Sequence, residues 1–255
     1  MLSAGQHDLF EVVLVSPRNP LNIGAAARAM ANFRFSRLAV VAPYEAHWRE
    51  AQSAVGAEDL LQHASVFPTL QVALADSTLA IGTGTLTHRK AEQRVVPLPD
   101  LAPLVRDEIA RGGRVALVFG PEKHGLTRDD LALCHLLVEI PTDARQPSMN
   151  LGQAVAVCLY ELIRASAPAT EPNTAPTNPL GSKPNAPAAA LDRLAELVEQ
   201  SMQTAGYSPH TMQAANRHDL LLLLRRLNLN SADTRRALGI FRRILWRLQH
   251  PRAPQ

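Results

Sequence analysis

Over the first two thirds of the chain, short apolar, β-branched runs alternate with longer stretches in which apolar residues recur at helical spacing. Glu11–Ser16, Arg37–Ala42, Thr78–Gly82, Arg114–Phe119 and Leu136–Ile140 are predicted strands, each bounded by turn or polar residues. Asn22–Phe33, Leu98–Arg111 and Ser148–Ala165 are predicted helices. Such alternation predicts an α/β fold, a mostly parallel sheet with helices on both faces, whose ligands sit outside the carboxyl ends of the strands. After Ala165 the pattern breaks. Six of the 19 prolines (Pro168, Pro172, Pro176, Pro179, Pro184 and Pro187) fall between residues 166 and 190, which read as an extended linker. Beyond it no strand pattern recurs: Leu191–Ala205, Pro209–Leu227 and Ser231–Gln249 are predicted helices, the last capped by Ser231. The expected organisation is an α/β domain over residues 1–165, a linker over 166–190 and a small all-α domain over 191–250.

Length and composition agree with this division. At roughly 150 residues per domain, 255 residues allow one large domain with a smaller appendage, and 46% hydrophobic with 19% charged residues is an ordinary globular balance. Apolar runs such as Ala154–Tyr160 and Leu220–Leu224 fall well short of the roughly 18 residues of a membrane span. The first residues carry neither a basic start nor an apolar core, so no secretory signal is expected and the cytoplasm is the expected location. Cys134 and Cys158 lie in apolar sequence without a CxxC companion and read as buried thiols, while the nine histidines occur without metal-ligand pairing, so no metal is expected.

The net charge of +3 is modest, but its distribution is uneven: from Leu191 to Gln255 ten arginines stand against five acids, a local excess of five. On a wheel of about 100° per residue, the last predicted helix places Leu238, Phe241, Ile244, Leu245 and Leu248 on one side and Arg235, Arg236, Arg242, Arg243 and Arg247 on the other. A charged helix face is ordinarily a solvated one. Here the charge is of one sign and wholly arginine, the side chain suited to bidentate phosphate contacts, which favours a polyanion-binding face.

Four segments carry candidate chemistry, and each follows a predicted strand. Ser16–Met30 (SPRNPLNIGAAARAM) opens the first long helix, its turn stiffened by Pro17 and Pro20; Gly24 and the alanines after it leave the helix bare enough for close approach by a ligand or another backbone. It is not a GxGxxG dinucleotide fingerprint. Gly82-Thr83-Gly84-Thr85, with Arg89 beyond, leaves the third predicted strand; Phe119–Leu126 (FGPEKHGL) leaves the fourth; Ile140–Leu151 (IPTDARQPSMNL) leaves the fifth. Four loops on one sheet edge would build a common pocket.

In order, Asn22-x-Gly24-Ala25-x-x-Arg28, Phe119-Gly120-x-Glu122-x-x-Gly125-Leu126 and Ile140-Pro141 through Ser148-Met149-Asn150 resemble the three motifs of the SPOUT-class, TrmH-like RNA ribose 2′-O-methyltransferases, over about 165 residues. The Pro-Arg-Asn-Pro-x-Asn opening and the helical C-terminal extension are most similar to the bacterial TrmJ-type enzymes, which methylate nucleotide 32 of the tRNA anticodon loop. The resemblance implies a C-terminal trefoil knot in the α/β domain, a homodimer, S-adenosyl-L-methionine as cofactor and tRNA as partner, with no membrane. It also implies that Thr83, Gly84, Thr85, Gly120, Ile140, Pro147, Ser148 and Met149 line the cofactor pocket. Arg28 would act at the ribose hydroxyl, with Asn22, Glu122, Ser148 and Asn150 arranging the site, and Arg89 would join the arginines of the last helix on RNA. Met149 stands where the family pattern has leucine, a nearly volume-neutral exchange. Ribosomal RNA as substrate, or a catalytically silent RNA-binding protein of the same fold, are the alternatives; intact Arg28, Glu122, Ser148 and Asn150 weigh against silence.

Overall fold

A computed structural model describes residues 4–84, 92–164, 183–207 and 212–250. Seven strands form one sheet: β1 (Phe10–Val15), β2 (Arg37–Val41), β3 (Ser65–Phe67), β4 (Leu79–Thr83), β5 (Arg94–Pro97), β6 (Val115–Phe119) and β7 (Leu136–Glu139). Their order is β3-β2-β1-β6-β4-β7-β5, and every pairing is parallel. All five predicted strands are present. The two that the pattern did not predict, β3 and β5, are the edges, where a short strand or one ending in proline is tolerated.

The described helices are α1 (Ala4–His7), α2 (Pro20–Asn32), α3 (Glu58–Gln62), α4 (Leu70–Ala73), α5 (Leu101–Ala110), α6 (Arg128–Ala132), α7 (Leu151–Arg164), α8 (Ala188–Thr204), α9 (Gln213–Arg226) and α10 (Ser231–Gln249). One face of the sheet, carrying Phe10, Val12 and Leu14 from β1, is buried beneath α2, α5 and α7. In α2 the buried side chains Ile23, Ala26, Ala27 and Met30 follow the i, i+3, i+4, i+7 spacing that made the segment legible as a helix. The opposite face, carrying Val13 and Val15, is covered by Leu70 and Ala73 of α4, Leu126 before α6, and Ala188 at the start of α8. No described helix is long and apolar enough to cross a membrane.

The helical C-terminal segment packs directly on the α/β portion. Of the proline-rich stretch 166–190, residues 183–190 are described, and they pack: Ala186 and Ala188 are fully buried, the Ala188 and Ala189 amides donate to the Ser77 and Ala75 carbonyls, and the Asn185 amide donates to Glu108 Oε1 at 3.1 Å. Arg225 of α9, 1% exposed, pairs with Asp192 of α8 at 2.7 Å. Its Nε donates to the Leu133 carbonyl, and Gln71 of α4 donates to the second Asp192 oxygen at 3.1 Å. Several helix starts differ from the sequence pattern. Asn230, not Ser231, caps α10, its side chain accepting the Ala232 and Asp233 amides, and α8 begins at Ala188 instead of Leu191.

Candidate active site

The first candidate loop is set by the end of β1. Ser16 adopts φ +44°, a left-handed conformation unusual for a residue with a side chain, and its amide donates to the Val41 carbonyl. The chain so turned presents Arg18 and Asn19, and the Asn19 side chain caps α2 by accepting the Leu21 amide. Gly24 meets another backbone rather than open space: a Cβ there would lie 2.9 Å from the Ala54 amide nitrogen, and Ser53 Oγ donates to the Leu21 carbonyl at 2.6 Å.

Glu122, from the loop after β6, reaches this helix start. Its carboxylate accepts the Arg18 amide (3.2 Å), the Asn19 amide (3.3 Å) and Asn22 Nδ2 (2.8 Å). A carboxylate at a helix N-terminus is favoured by the free amides and the helix dipole together. Partial burial pushes the Glu122 carboxyl up, but the hydrogen bonds from Asn22 and the main-chain amides outweigh it and hold the group below its ordinary value. Asn22 in turn accepts Asn150 Nδ2 at 2.8 Å through its Oδ1. Asn150 Oδ1 accepts the Gly152 and Gln153 amides at the start of α7, which opens at Leu151 instead of Ser148. One chain of hydrogen bonds, Glu122–Asn22–Asn150, thus joins three segments more than 120 residues apart at their extremes, as the 128-residue separation of Asn22 and Asn150 shows.

The loops after β6, β4 and β7 leave neighbouring strands at their carboxyl ends. Gly84 is exposed, Gly120, Ile140, Pro147 and Met149 are half-buried, and Ser148 is exposed. Thr83 is buried, and its hydroxyl is committed to the Val118 carbonyl at 2.9 Å. The last loop is braced across its base by Thr142 Oγ1 donating to the Pro147 carbonyl. Arg28 is exposed on α2, with no carboxylate among the described residues within salt-bridge reach. Thr85 and Arg89 lie outside the described residues. Cys134 and Cys158 are buried, and burial pushes both thiols up to about 12, as expected of inert core cysteines. No metal-binding group of side chains occurs among the described residues.

Gly120 has a definite structural reason to lack a side chain. A Cβ there would fall 2.2 Å from the Leu126 amide nitrogen and 2.3 Å from the Gly125 carbonyl carbon, distances that only a backbone shift could relieve. Gly125, at φ +64°, folds the loop back onto it. Gly120→Ala is expected to lower stability by about 1–3 kcal/mol, the usual range for forced overpacking, in urea titration; a variant as stable as the parent would mean that the loop has room after all.

On the surface of α10, Arg235, Arg236, Arg242, Arg243 and Arg247 are all exposed. Arg236 pairs with Asp233 at 3.2 Å, and Arg235 and Arg247 each donate to a main-chain carbonyl of their own segment. The apolar side is only partly covered: Leu238 and Phe241 pack against α8 and α9, whereas Ile244 and Leu248 are 41% and 37% exposed. Two residues outside the motifs, Arg225 and Asp192, anchor the helical segment. The available signal was Asp192 itself, an acid at the apolar spacing set by Ala188, Leu191 and Ala195.

Comparison with known proteins bears on this arrangement. The model of the SpoU rRNA methylase family matches residues 9–160. The chain is 40% identical over 153 residues to the uncharacterized tRNA/rRNA methyltransferase LasT of Escherichia coli, a match covering 59% of this chain and 66%, just under two thirds, of that protein. It is 32% identical over 251 residues to the tRNA (cytidine/uridine-2′-O-)-methyltransferase TrmJ of Sodalis glossinidius, covering 96% of this chain and 92% of that one. Among solved structures it is similar to TrmJ from Z. mobilis ZM4, with a TM-score of 0.78 and 30% identity over 92% of this chain and 98% of that one.

Proposed function

The chain belongs to the SpoU rRNA methylase family, and from that membership we propose that it is a tRNA ribose 2′-O-methyltransferase using S-adenosyl-L-methionine, acting on cytidine or uridine 32 of the anticodon loop. The observation that carries the reading is the Glu122–Asn22–Asn150 chain, which fastens the start of α2 to the loops that leave β6 and β7. It holds Arg28, two turns further along α2, on a helix whose start is fixed against the proposed cofactor loops. The names of the relatives that cover most of the chain, tRNA 2′-O-methyltransferases, support tRNA over ribosomal RNA.

The residues present fit the cofactor. Ile140, Pro147 and Met149 offer half-buried apolar surface for an adenine ring. Among the described residues the Ser148 and Met149 amides make no hydrogen bond and are free to donate to it. Gly84 adds exposed backbone where a Cβ would meet nothing, and Gly120 adds a tight turn beneath; Thr85 belongs to the same proposed set. When bound, the cofactor supplies an electrophilic methyl group on a sulfonium.

The chain's own part is positioning and charge. Both Glu122 oxygens are occupied by N–H donors, so Glu122 is a positioning residue and not a base. Arg28 presents its guanidinium to the ribose hydroxyl and stabilises the alkoxide character that develops as the hydroxyl is methylated. A guanidinium stays protonated in proteins, which favours this electrostatic role over proton abstraction. Ser148 is placed beside Asn150 to hold the acceptor ribose.

The proposed trefoil knot is supported by strand order: β7, the last strand, lies between β4 and β5, which an earlier stretch of chain already joins. A homodimer is supported by exposed apolar residues on the paired helices α2 and α7, namely Leu21 at 54%, Val157 at 37% and Tyr160 at 53%. The arginines of α10, with Arg89, are the proposed tRNA contacts, and the cytoplasm is where that substrate would be met. Incubation of the protein with labelled cofactor and total tRNA or ribosomal RNA, followed by nuclease mapping, tests the reading. Label at nucleotide 32 of tRNA is expected; label in ribosomal RNA alone, or none, would overturn it.

A further inference from the structure

The protein has two tryptophans, and they occupy opposite environments. Trp48 is 2% exposed beneath the Arg49 guanidinium, 4.5 Å from its ring. Trp246, on the last turn of α10, is 60% exposed. An indole left in water forfeits about the largest apolar burial that any side chain offers, so its exposure asks for a reason. Its surroundings give one. The His250 ring stacks on it at 4.9 Å and 19°, held there by a hydrogen bond between His250 Nδ1 and the Trp246 carbonyl. Arg242 and Arg243, four and three residues back, flank it one turn away on the same helix. Neither lies within salt-bridge reach of a carboxylate among the described residues, and the one acid of α10, Asp233, is taken by Arg236 and Asn230.

We propose that Trp246 and His250 form a stacking platform for an unpaired base of RNA, with Arg242 and Arg243 holding the phosphates on either side of that base. A flat ring pair beside guanidiniums that no carboxylate of the described residues holds is what single-stranded nucleic acid requires: a π-face for the base and positive charge that tracks the backbone. An acidic or apolar protein surface would match one half of this arrangement and not the other. A duplex would match only the arginines, because its bases are already stacked. The platform therefore selects loop nucleotides and complements the tRNA reading above, on which it rests for the identity of the nucleic acid. It adds a contact to bases where the arginines alone would read only phosphate.

Because Trp48 is buried, emission changes on adding RNA to the full chain report Trp246. Titration with a ten-nucleotide oligouridylate is expected to quench this emission saturably, whereas an abasic ribose-phosphate oligomer of the same length should bind without quenching. By anisotropy of labelled oligouridylate, Trp246→Ala should lose roughly 5- to 150-fold in affinity, the range for deleting one base–aromatic stack, and Trp246→Phe should keep most of it. Neither variant should change affinity for the abasic oligomer. Equal quenching by the abasic oligomer, or parental binding of oligouridylate by Trp246→Ala, would overturn the proposal. So would quenching that appears without RNA as protein concentration rises, since the face would then be covered by a second copy. These readouts are of binding, so they can fail while methyl transfer to tRNA stands, and the converse also holds.

Discussion

Arg225→Ala is expected to cost about 3–5 kcal/mol of folding stability, the range for removing one partner of a buried ion pair. Asp192 is 4% exposed and would be left as an unmatched buried charge, with only Gln71 donating to it. The Leu133 carbonyl would lose its donor as well. Against a total stability of about 5–15 kcal/mol for a typical protein, a loss of that size should move a urea midpoint far enough to measure without ambiguity. Replacing both partners with apolar residues, Arg225→Met with Asp192→Leu, should recover most of the loss, because the cost lies in an uncompensated charge and not in a missing attraction. A single variant within about 1 kcal/mol of the parent would show that water or another group satisfies Asp192. Since Arg225 and Asp192 tie α9 and α8 to α4 and to the segment before β7, the same variant should also release the helical part from the sheet. Limited proteolysis should then cut first within the C-terminal helices.

What could be read in the chain beforehand follows from how local each feature is. The five inner strands and the long helices α2, α5 and α7 were legible because burial on one or two faces imposes a period that the sequence must obey. The edge strand β3 has three residues, too few to establish a period, and β5 ends in Pro97, which reads as a strand end only once its edge position is known. The short helix α6 has a local signal of its own: Thr127 and Asp130 form a reciprocal capping box, visible as T-x-x-D directly after the FGPEKHGL loop. In the candidate site, Asn22, Glu122 and Asn150 were legible as motif members, but nothing in spacing says that they bond to one another. That contact comes from topology, because β6 lies beside β1 and the loops that follow the two strands therefore meet. The attachment of the C-terminal helices was illegible for the opposite reason. A proline-rich composition predicts extension, whereas residues 183–190 are fixed by main-chain bonds to the Ala75 and Ser77 carbonyls that composition cannot report.

Arg28→Ala is expected to lower the single-turnover rate of methyl transfer by about 10²–10³-fold, as when one preorganised donor to a developing oxyanion is removed. Cofactor affinity, followed by calorimetric titration, should stay within a few fold, because Arg28 projects from α2 while the proposed cofactor loops leave β4, β6 and β7. The fold should also persist: Arg28 is exposed, and alanine is the better helix former. Arg28→Lys separates the two jobs a guanidinium can do. It keeps the positive charge but replaces the planar fork with a single ammonium, so a partial rate would indicate field stabilisation and a rate as low as alanine's would indicate bidentate positioning. Glu122→Gln supplies the contrast, because it leaves Arg28 in place while weakening the anchor of α2: one of the two oxygens that accept the Arg18 and Asn19 amides becomes an NH2 group. Its loss should therefore be smaller than that of Arg28→Ala and should appear in both rate and stability. If Arg28→Ala turned over at the parental rate, the ribose hydroxyl would have to be served from elsewhere, and the hydrogen-bonded chain through Asn22 would be a structural clamp with no catalytic side chain to aim.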